Sequence, residues 1–156
     1  MSSRYKTIAR LALASLAAQS SPALAENVTL SGTLLNSCLL SLSVPGVLAP
    51  SSDGTVLSSE NSGGVAATLA LVAIGGAPTV TFAAPSPAGP IASTSGATTQ
   101  IRYTSLQGAS QSYTSSASSR VGGALIDTFT VHGRIANSNG FAAGNYSVTT
   151  VVTCQQ

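Results

Sequence analysis

Residues 28–38 read VTLSGTLLNSC and residues 146–154 read YSVTTVVTC. Both stretches alternate apolar with polar side chains, which is the period of two that gives a β-strand one apolar and one polar face. The apolar positions in the two stretches are Val28, Leu30, Leu34 and Cys38, then Tyr146, Val148, Val152 and Cys154. The sequence therefore predicts a β-strand near each end of the chain.

The segments between these ends have the same character. The first alternating run continues to residue 44, and further short strands are predicted at 55–59, 64–74, 79–83, 99–105 and 125–135, separated by glycine- and proline-rich turns. Residues 64–74 are apolar on both faces, which predicts a fully buried strand, with a buried helix as the alternative. Residues 84–96, with three prolines, and the polar tract 107–120 around Tyr113 are predicted to be loops, the second of them mobile. Asn139-Gly140 predicts a turn between paired strands.

About seven to nine short strands with turn signals between them indicate an all-β fold. The spacing favours an immunoglobulin-like antiparallel β-sandwich that occupies residues 26–156 as a single domain. The predicted inward side chains include Val80, Phe82, Ile101, Tyr103 and, on the segment 125–135, Leu125, Phe129, Val131 and Ile135.

Residues 1–25 have the pattern of a cleaved signal peptide. Arg4, Lys6 and Arg10 precede the apolar run LALASLAA, and Ala23 and Ala25 form an A-x-A cleavage site. The apolar run is shorter than the roughly 20 residues that a membrane span needs, and the alternative is a buried N-terminal helix. We expect export to the periplasm, the cell surface or the extracellular space, with no membrane span in the mature chain.

Cys38 and Cys154 are the only two cysteines. In an oxidising compartment an even pair predicts a disulfide, and this bond would place the two ends of the chain side by side. The alternative is two free, buried thiols. A metal site is not expected, because two cysteines and one distant histidine provide too few ligands.

Charge and motif content argue against several classes of function. Three of the six basic residues lie in the predicted leader, which leaves three basic and four acidic side chains, so nucleic-acid binding is not expected. The chain has no recognised catalytic or cofactor motif, and we predict no enzyme activity and no cofactor. Asp127 and His132 invite comparison with a serine triad, but positions five apart point to opposite faces of a strand. His132 is expected to face solvent, and Asp127 to lie at a strand edge or to pair with Arg102, Arg120 or Arg134.

The segment after the cleavage site has two interpretations that the residues leave open. It is either the first strand of its own sheet or a donor that completes the sheet of a neighbouring copy by β-augmentation, burying Val28, Leu30 and Leu34. A surface rich in serine and threonine and poor in charge suits subunits that pack against one another, and it equally suits an ordinary secreted domain.

Three segments resemble a known family. VTLSGTLLNSC at 28–38, DTFTVHGRI at 127–135 and FAAGNYSVTTVVT at 141–153 are similar to spore-coat-protein-U-like subunits of archaic chaperone–usher pili and related pilin-like domains. The resemblance implies an incomplete immunoglobulin-like fold, capping by a periplasmic chaperone, export through an usher and polymerisation by donor-strand exchange. It makes Val28, Leu30 and Leu34 donor-strand residues and Cys38–Cys154 the structural disulfide. Two features depart from the family: SVPGV stands at 43–47 in place of a leucine–x–phenylalanine–glycine element, and the second cysteine lies unusually close to the C-terminus.

The expected function is that of an exported structural or surface protein, a pilus-like subunit of a fimbrium with a role in cell adhesion. The alternative is a self-complete, monomeric secreted or periplasmic immunoglobulin-like domain that binds a partner or a glycan.

Overall fold

The computed structural model describes residues 29–122 and 125–156. The predicted signal peptide with Ala23 and Ala25, and the predicted donor residue Val28, lie outside the described residues. The chain divides into two units, Met1–Gly32 and Thr33–Gln156, and the strands all belong to the second. They are β1 Ser37–Val44, β2 Ala49–Pro50, β3 Val56–Ser58, β4 Ala67–Ile74, β5 Thr79–Phe82, β6 Ser86–Ala88, β7 Thr98–Ser105, β8 Ser110–Thr114, β9 Ser118–Val121, β10 Ile126–Ala136, β11 Ser147–Thr149 and β12 Val152–Gln155, with one helical turn, α1, at Ile91–Thr94.

The larger sheet is organised around β10, the longest strand. One edge of β10 pairs first with β4 and then, over its last three residues, with β3, while the other edge pairs with β7. β1 extends the sheet beyond β4, β8 extends it beyond β7, and β2 pairs with β3. All of these pairings are antiparallel.

The smaller layer consists of β12, β5 and β9, with β6 and β11 forming a separate antiparallel pair. Between β8 and β9 the chain passes from the larger sheet to the smaller one. Tyr103 of β7 and Ser118 of β9 approach there, with their hydroxyl oxygens 3.3 Å apart. These antiparallel sheets confirm the predicted all-β sandwich.

The core lies between the sheets and contains three aromatic rings. Phe82 of the smaller sheet stacks on Tyr103 of the larger one, with ring centroids 4.1 Å apart, and Phe129 meets both rings edge-on. Around them, the alternating positions of three strands, β4, β5 and β7, contribute Leu69, Leu71, Val80 and Ile101. The inward orientation predicted for Val80, Phe82, Ile101, Tyr103 and Phe129 is confirmed.

The disulfide predicted between Cys38 and Cys154 is present. It joins β1 of one sheet to β12 of the other, with the two Cα atoms 6.0 Å apart, and both cysteines pack against the core. The two strands are thus covalently linked between the layers.

The first strand is shorter than predicted. β1 begins at Ser37, and residues 29–36 form no strand, although they alternate. A period of two is compatible with strand geometry but does not supply a pairing partner, and a strand exists only where a neighbour accepts its hydrogen bonds.

The two predicted loops contain regular structure, so this part of the prediction was wrong. The tract 107–120 forms β8 and β9, and residues 84–96 contain β6 and α1. Edge strands can be polar on both faces, because they need only one paired neighbour and solvent covers the rest. Tyr113, half-buried on β8, provides the side chain that fixes that edge.

Three further details differ from the predictions. β4 buries only one face: Leu69, Leu71 and Ala73 point inward, whereas Val72 and Ile74 are exposed. Leu125, predicted to point inward, is exposed as well. The turn at Asn139-Gly140 does not connect paired strands, since β11 pairs with β6 rather than with β10. The sequence predicts apolar faces correctly but not which of them another layer covers.

Across 29–122 and 125–156, none of the helical structure has the length and hydropathy to cross a membrane.

Candidate functional site

An apolar groove of about 510 Å³ opens on the side of the sandwich where β1 ends. One wall is the segment from Leu42 to Leu48, and the other is residues 146–152, including β11. Leu69, Ile101 and Val131, from three strands of the larger sheet, also line it. The Pro45-Gly46 pair ends β1 and turns the chain, and this turn creates the first wall.

The groove is bordered by three strands that each have one unpaired edge, whereas Val47 in the first wall forms a backbone bridge with Val65. In the described part of the chain β1 pairs only with β4, β11 only with β6, and β12 only with β5. An unpaired edge presents a row of backbone N–H and C=O groups, which is a template for an added strand. The groove therefore offers both apolar contacts and main-chain hydrogen bonds.

Among the described residues, those that line the groove carry no charged side chain. Its polar groups are the hydroxyls of Ser59, Tyr146, Ser147, Thr149 and Thr150, and its apolar rim includes Val47 and Val65, which remain 49% and 44% exposed. The second wall is formed by residues 146–150 and Val152, which belong to β11 and the residue before it, to the link after β11 and to β12. This site suits an extended, uncharged, apolar segment and lacks the titratable pairs that acid–base chemistry requires.

The predicted donor residues that the structure describes are exposed. Leu30 is 92% exposed and Leu34 is 69% exposed, and Leu35, on the opposite face of the alternation, is 77% exposed. Single exposed leucines are common on protein surfaces. Here three leucines lie within six residues that form no strand, and covering them with another apolar surface would lower the free energy.

A second feature is a polar cluster on the outer face of β7, β8 and β10. Glu60 accepts hydrogen bonds from the Arg102 guanidinium and, at 2.6 Å, from the Tyr113 hydroxyl. The Arg134 guanidinium lies 4.0 Å from the centroid of the Tyr113 ring and donates to Gln100. Because these side chains come from neighbouring strands and the loop after β3, the cluster fastens the edge strand β8 to the sheet.

The cluster shifts the ionisation of its members. Hydrogen bonds from Arg102 and then from Tyr113 lower the pKa of Glu60 to about 2. Burial, followed by the hydrogen bond to Glu60, raises the pKa of Tyr113. Partial burial and the nearby charge of Arg102 lower the pKa of His132. Asp53, in a separate exposed turn, also has a pKa lowered to about 2, because Ser51 and Thr55 donate to it.

Asp127 and His132 do not come together. Asp127 is buried on the inner side of β10, where it accepts hydrogen bonds from the backbone N–H groups of Gln107 and Thr128. It pairs with none of the three arginines considered from the sequence. His132 lies on the outer face and is half-buried rather than fully exposed, with its Nδ1 atom 3.1 Å from the Ser59 hydroxyl. The described residues contain no group of three or more side chains arranged to hold a metal ion.

Sequence reasoning missed the walls of the groove and the partners of the polar cluster. The available signal was a valine directly after each of two turn sequences, Val47 after Pro45-Gly46 and Val65 after Gly63-Gly64. These two valines form a backbone bridge with each other and remain partly exposed at the rim. Ser59–His132 and Glu60–Arg102 are separated by 73 and 42 residues, and no local pattern reports such pairs.

Comparison of the chain with protein-family models, with curated proteins and with solved structures finds no match in any of the three. The functional argument therefore rests on the groove and the residues before β1.

Proposed function

We propose that this chain is an exported structural subunit, pilus-like in its assembly, that joins to further copies by donor-strand complementation. In this assembly the segment that begins at Val28 enters the groove of a neighbouring copy. Leu30 and Leu34 lie against the groove lining, and the segment's backbone pairs with an open strand edge.

The observation that carries this proposal is the uncharged groove between two unpaired strand edges. A monomeric sandwich usually protects its edges with charges, bulges or covering loops, because an unprotected edge recruits other strands. Here the groove is lined by Leu69, Ile101 and Val131, which reach it from the core side. Leu69 and Ile101 are already buried, so a strand in the groove would chiefly cover the exposed rim residues Val47 and Val65.

The segment before β1 has matching chemistry. Residues 28–34 carry no charge, and neither do the described residues that line the groove. Full burial of a leucine or valine side chain contributes about 1.5–3 kcal/mol, so three such side chains provide several kcal/mol toward assembly. Gly32, between Leu30 and Leu34, permits close backbone approach.

Capping before assembly is part of the proposal. A subunit with an open apolar groove is prone to uncontrolled association, so we propose a periplasmic chaperone that occupies the groove and an usher that exports the subunit. Export by a signal peptide, a periplasmic stage and a final position in a fimbrium at the cell surface follow from this assignment.

The test is assembly of the exported chain, followed on SDS gels without boiling, since donor-strand polymers resist cold SDS. We expect a ladder of species that is lost in Leu30→Ser and Leu34→Ser variants. Leu35→Ser is the matched control: it removes an equally exposed leucine from the same segment but from its other face, and the ladder should persist. A ladder equally sensitive to all three substitutions would contradict the register, and a single monodisperse species in the unmodified chain would contradict the proposal.

The alternative, a self-complete binding domain, is favoured by the position of the disulfide. Cys38–Cys154 joins β1 to β12 just after the segment 28–36, and this covalent link closes the sandwich without a second chain. In that case the groove would accept a short apolar segment of a different protein. The monodisperse species described above, with residues 26–36 resistant to protease, is the outcome that supports it.

A further inference from the structure

A second apolar surface lies on the outer face of the larger sheet, away from the groove. Leu39 of β1, Val72 of β4 and Ile126 of β10 are cross-strand neighbours in one row: Leu39 is paired with Val72, and Val72 with Ile126. They remain 65%, 44% and 66% exposed. Their neighbours in sequence, such as Leu71 and Asp127, are buried on the inner face, so the row points outward.

Two more side chains enlarge this row. Ile74, two residues beyond Val72 on the same face, is 50% exposed, and Leu106, whose backbone N–H bonds to the carbonyl of Thr128, is 82% exposed. We call these five residues, Leu39, Val72, Ile74, Leu106 and Ile126, the outer patch. The next row of the sheet consists of Ser41, Ala70 and Thr128, which are small. An apolar patch bordered by small side chains allows a flat surface to approach closely.

The outer patch carries no charge. On β10 the charged and titratable side chains that face outward are His132 and Arg134, and His132 is six residues, or roughly 20 Å, from Ile126. Interfacial membrane binding relies on cationic residues around the apolar surface, and none lies there in the described part of the chain. Complementary charge steers and selects a foreign protein partner, and the patch offers none.

A second copy of this chain fits these constraints. Homodimer interfaces are the most apolar class, and an uncharged patch meets its own image without repulsion. Five large aliphatic side chains, exposed by 44–82%, amount to a few hundred Å² of apolar surface. An interface between two copies buries this area on each of them, together with the serine and threonine side chains around it. The total reaches the lower limit of about 1,000–1,200 Å² for a specific interface.

We propose that the outer patch is a lateral self-association surface, through which two copies pack face to face about a two-fold axis centred near Val72. The polar cluster lies on the same face of the sheet but toward the other end of β10, outside the patch. The association is weak and reversible, and it is independent of the groove, since none of the five residues lines it. Donor-strand exchange would join copies end to end, whereas this contact would join them side by side.

The experiment is sedimentation velocity of the exported chain over a range of concentrations, in a Leu30→Ser, Leu34→Ser background that removes donor-strand exchange. We expect a reversible monomer–dimer equilibrium. Leu39→Thr combined with Ile126→Thr should weaken it at least about 30-fold, because each substitution counts twice across the axis. Threonine preserves strand propensity at both positions. Val121→Thr, on β9 of the other sheet and 72% exposed, is the matched control and should leave the dimer intact.

Val72→Thr provides a second variant at the centre of the patch, and unchanged melting temperatures confirm that all the variants fold. A chain that stays monomeric at every concentration overturns the proposal, as does a dimer insensitive to the patch substitutions or equally sensitive to Val121→Thr. Cosedimentation with phosphatidylcholine vesicles that the patch substitutions abolish, without a protein dimer, would assign the surface to a membrane and overturn it too.

Discussion

The disulfide provides the strongest quantitative prediction about stability. Replacing both cysteines by alanine, Cys38→Ala with Cys154→Ala, opens a loop of 116 residues. The chain-entropy model gives a loss of about 5 kcal/mol for a loop of this length. For a folded unit of about 120 residues, an unfolding entropy of roughly 2.1 cal/mol/K per residue converts this loss to a fall of about 15–20 °C in melting temperature. The loss is large because the disulfide, formed by the only two cysteines of the chain, closes so long a loop.

The assay is thermal unfolding followed by far-ultraviolet circular dichroism, with and without reductant. The reduced wild-type chain should match the double variant, and reductant should leave the double variant unchanged. A decrease below about 5 °C would refute the reasoning, because it would mean that non-covalent contacts alone hold β1 against β12. A reductant effect on the double variant would show that the effect does not come from the disulfide.

Further predictions concern acid stability and the core. Glu60 has a folded pKa of about 2, below its ordinary value of 4.5, so its stabilising contribution is present above pH 4.5 and is lost as the pH falls toward 2. In the Glu60→Gln variant, the free energy of unfolding should therefore fall less steeply between pH 4.5 and pH 2. The difference should be small, because Glu60 is exposed to solvent. Because the pKa of His132 is lowered in the folded state, protonation of His132 should reduce the free energy of unfolding as the pH falls below about 6.5. His132→Gln should remove this decrease, as measured by urea unfolding at several pH values. Phe82→Ala should lower the free energy of unfolding by about 3–5 kcal/mol in urea, because Phe82 is fully buried and contacts two other aromatic rings. Phe141→Ala should lower it clearly less, because Phe141 is only half-buried. An equal loss for the two phenylalanines would contradict the assignment of the core.

The sequence predicts the sandwich well because local alternation records which side chains are apolar. β5 and β7 follow the predicted pattern closely, with Val80, Phe82, Ile101 and Tyr103 all inward. The disulfide was predictable because only two cysteines are available.

What the sequence does not contain is the identity of the neighbour on each face. Val72 and Leu71 are equally apolar, yet only Leu71 has a second sheet above it. The polar tract 107–120 failed as a loop prediction for the converse reason, because an edge strand such as β8 is held by backbone pairing and by contacts of Tyr113 with Glu60 and Arg134, which are distant in sequence. The groove likewise depends on the free edges of β1 and β11, and these are properties of topology.

In the proposed assembly, the groove of one copy accepts the segment before β1 of another copy. The most direct measurement places the photo-crosslinking residue p-benzoylphenylalanine at position 30 in a mixture of ¹⁴N- and ¹⁵N-labelled exported chains, followed by mass spectrometry of the crosslinked peptides. We expect mixed-isotope crosslinks from position 30 to groove residues such as Val47 and Val148. Crosslinks confined to single-isotope species, or mixed-isotope crosslinks that fall outside the groove, would contradict the proposed assembly.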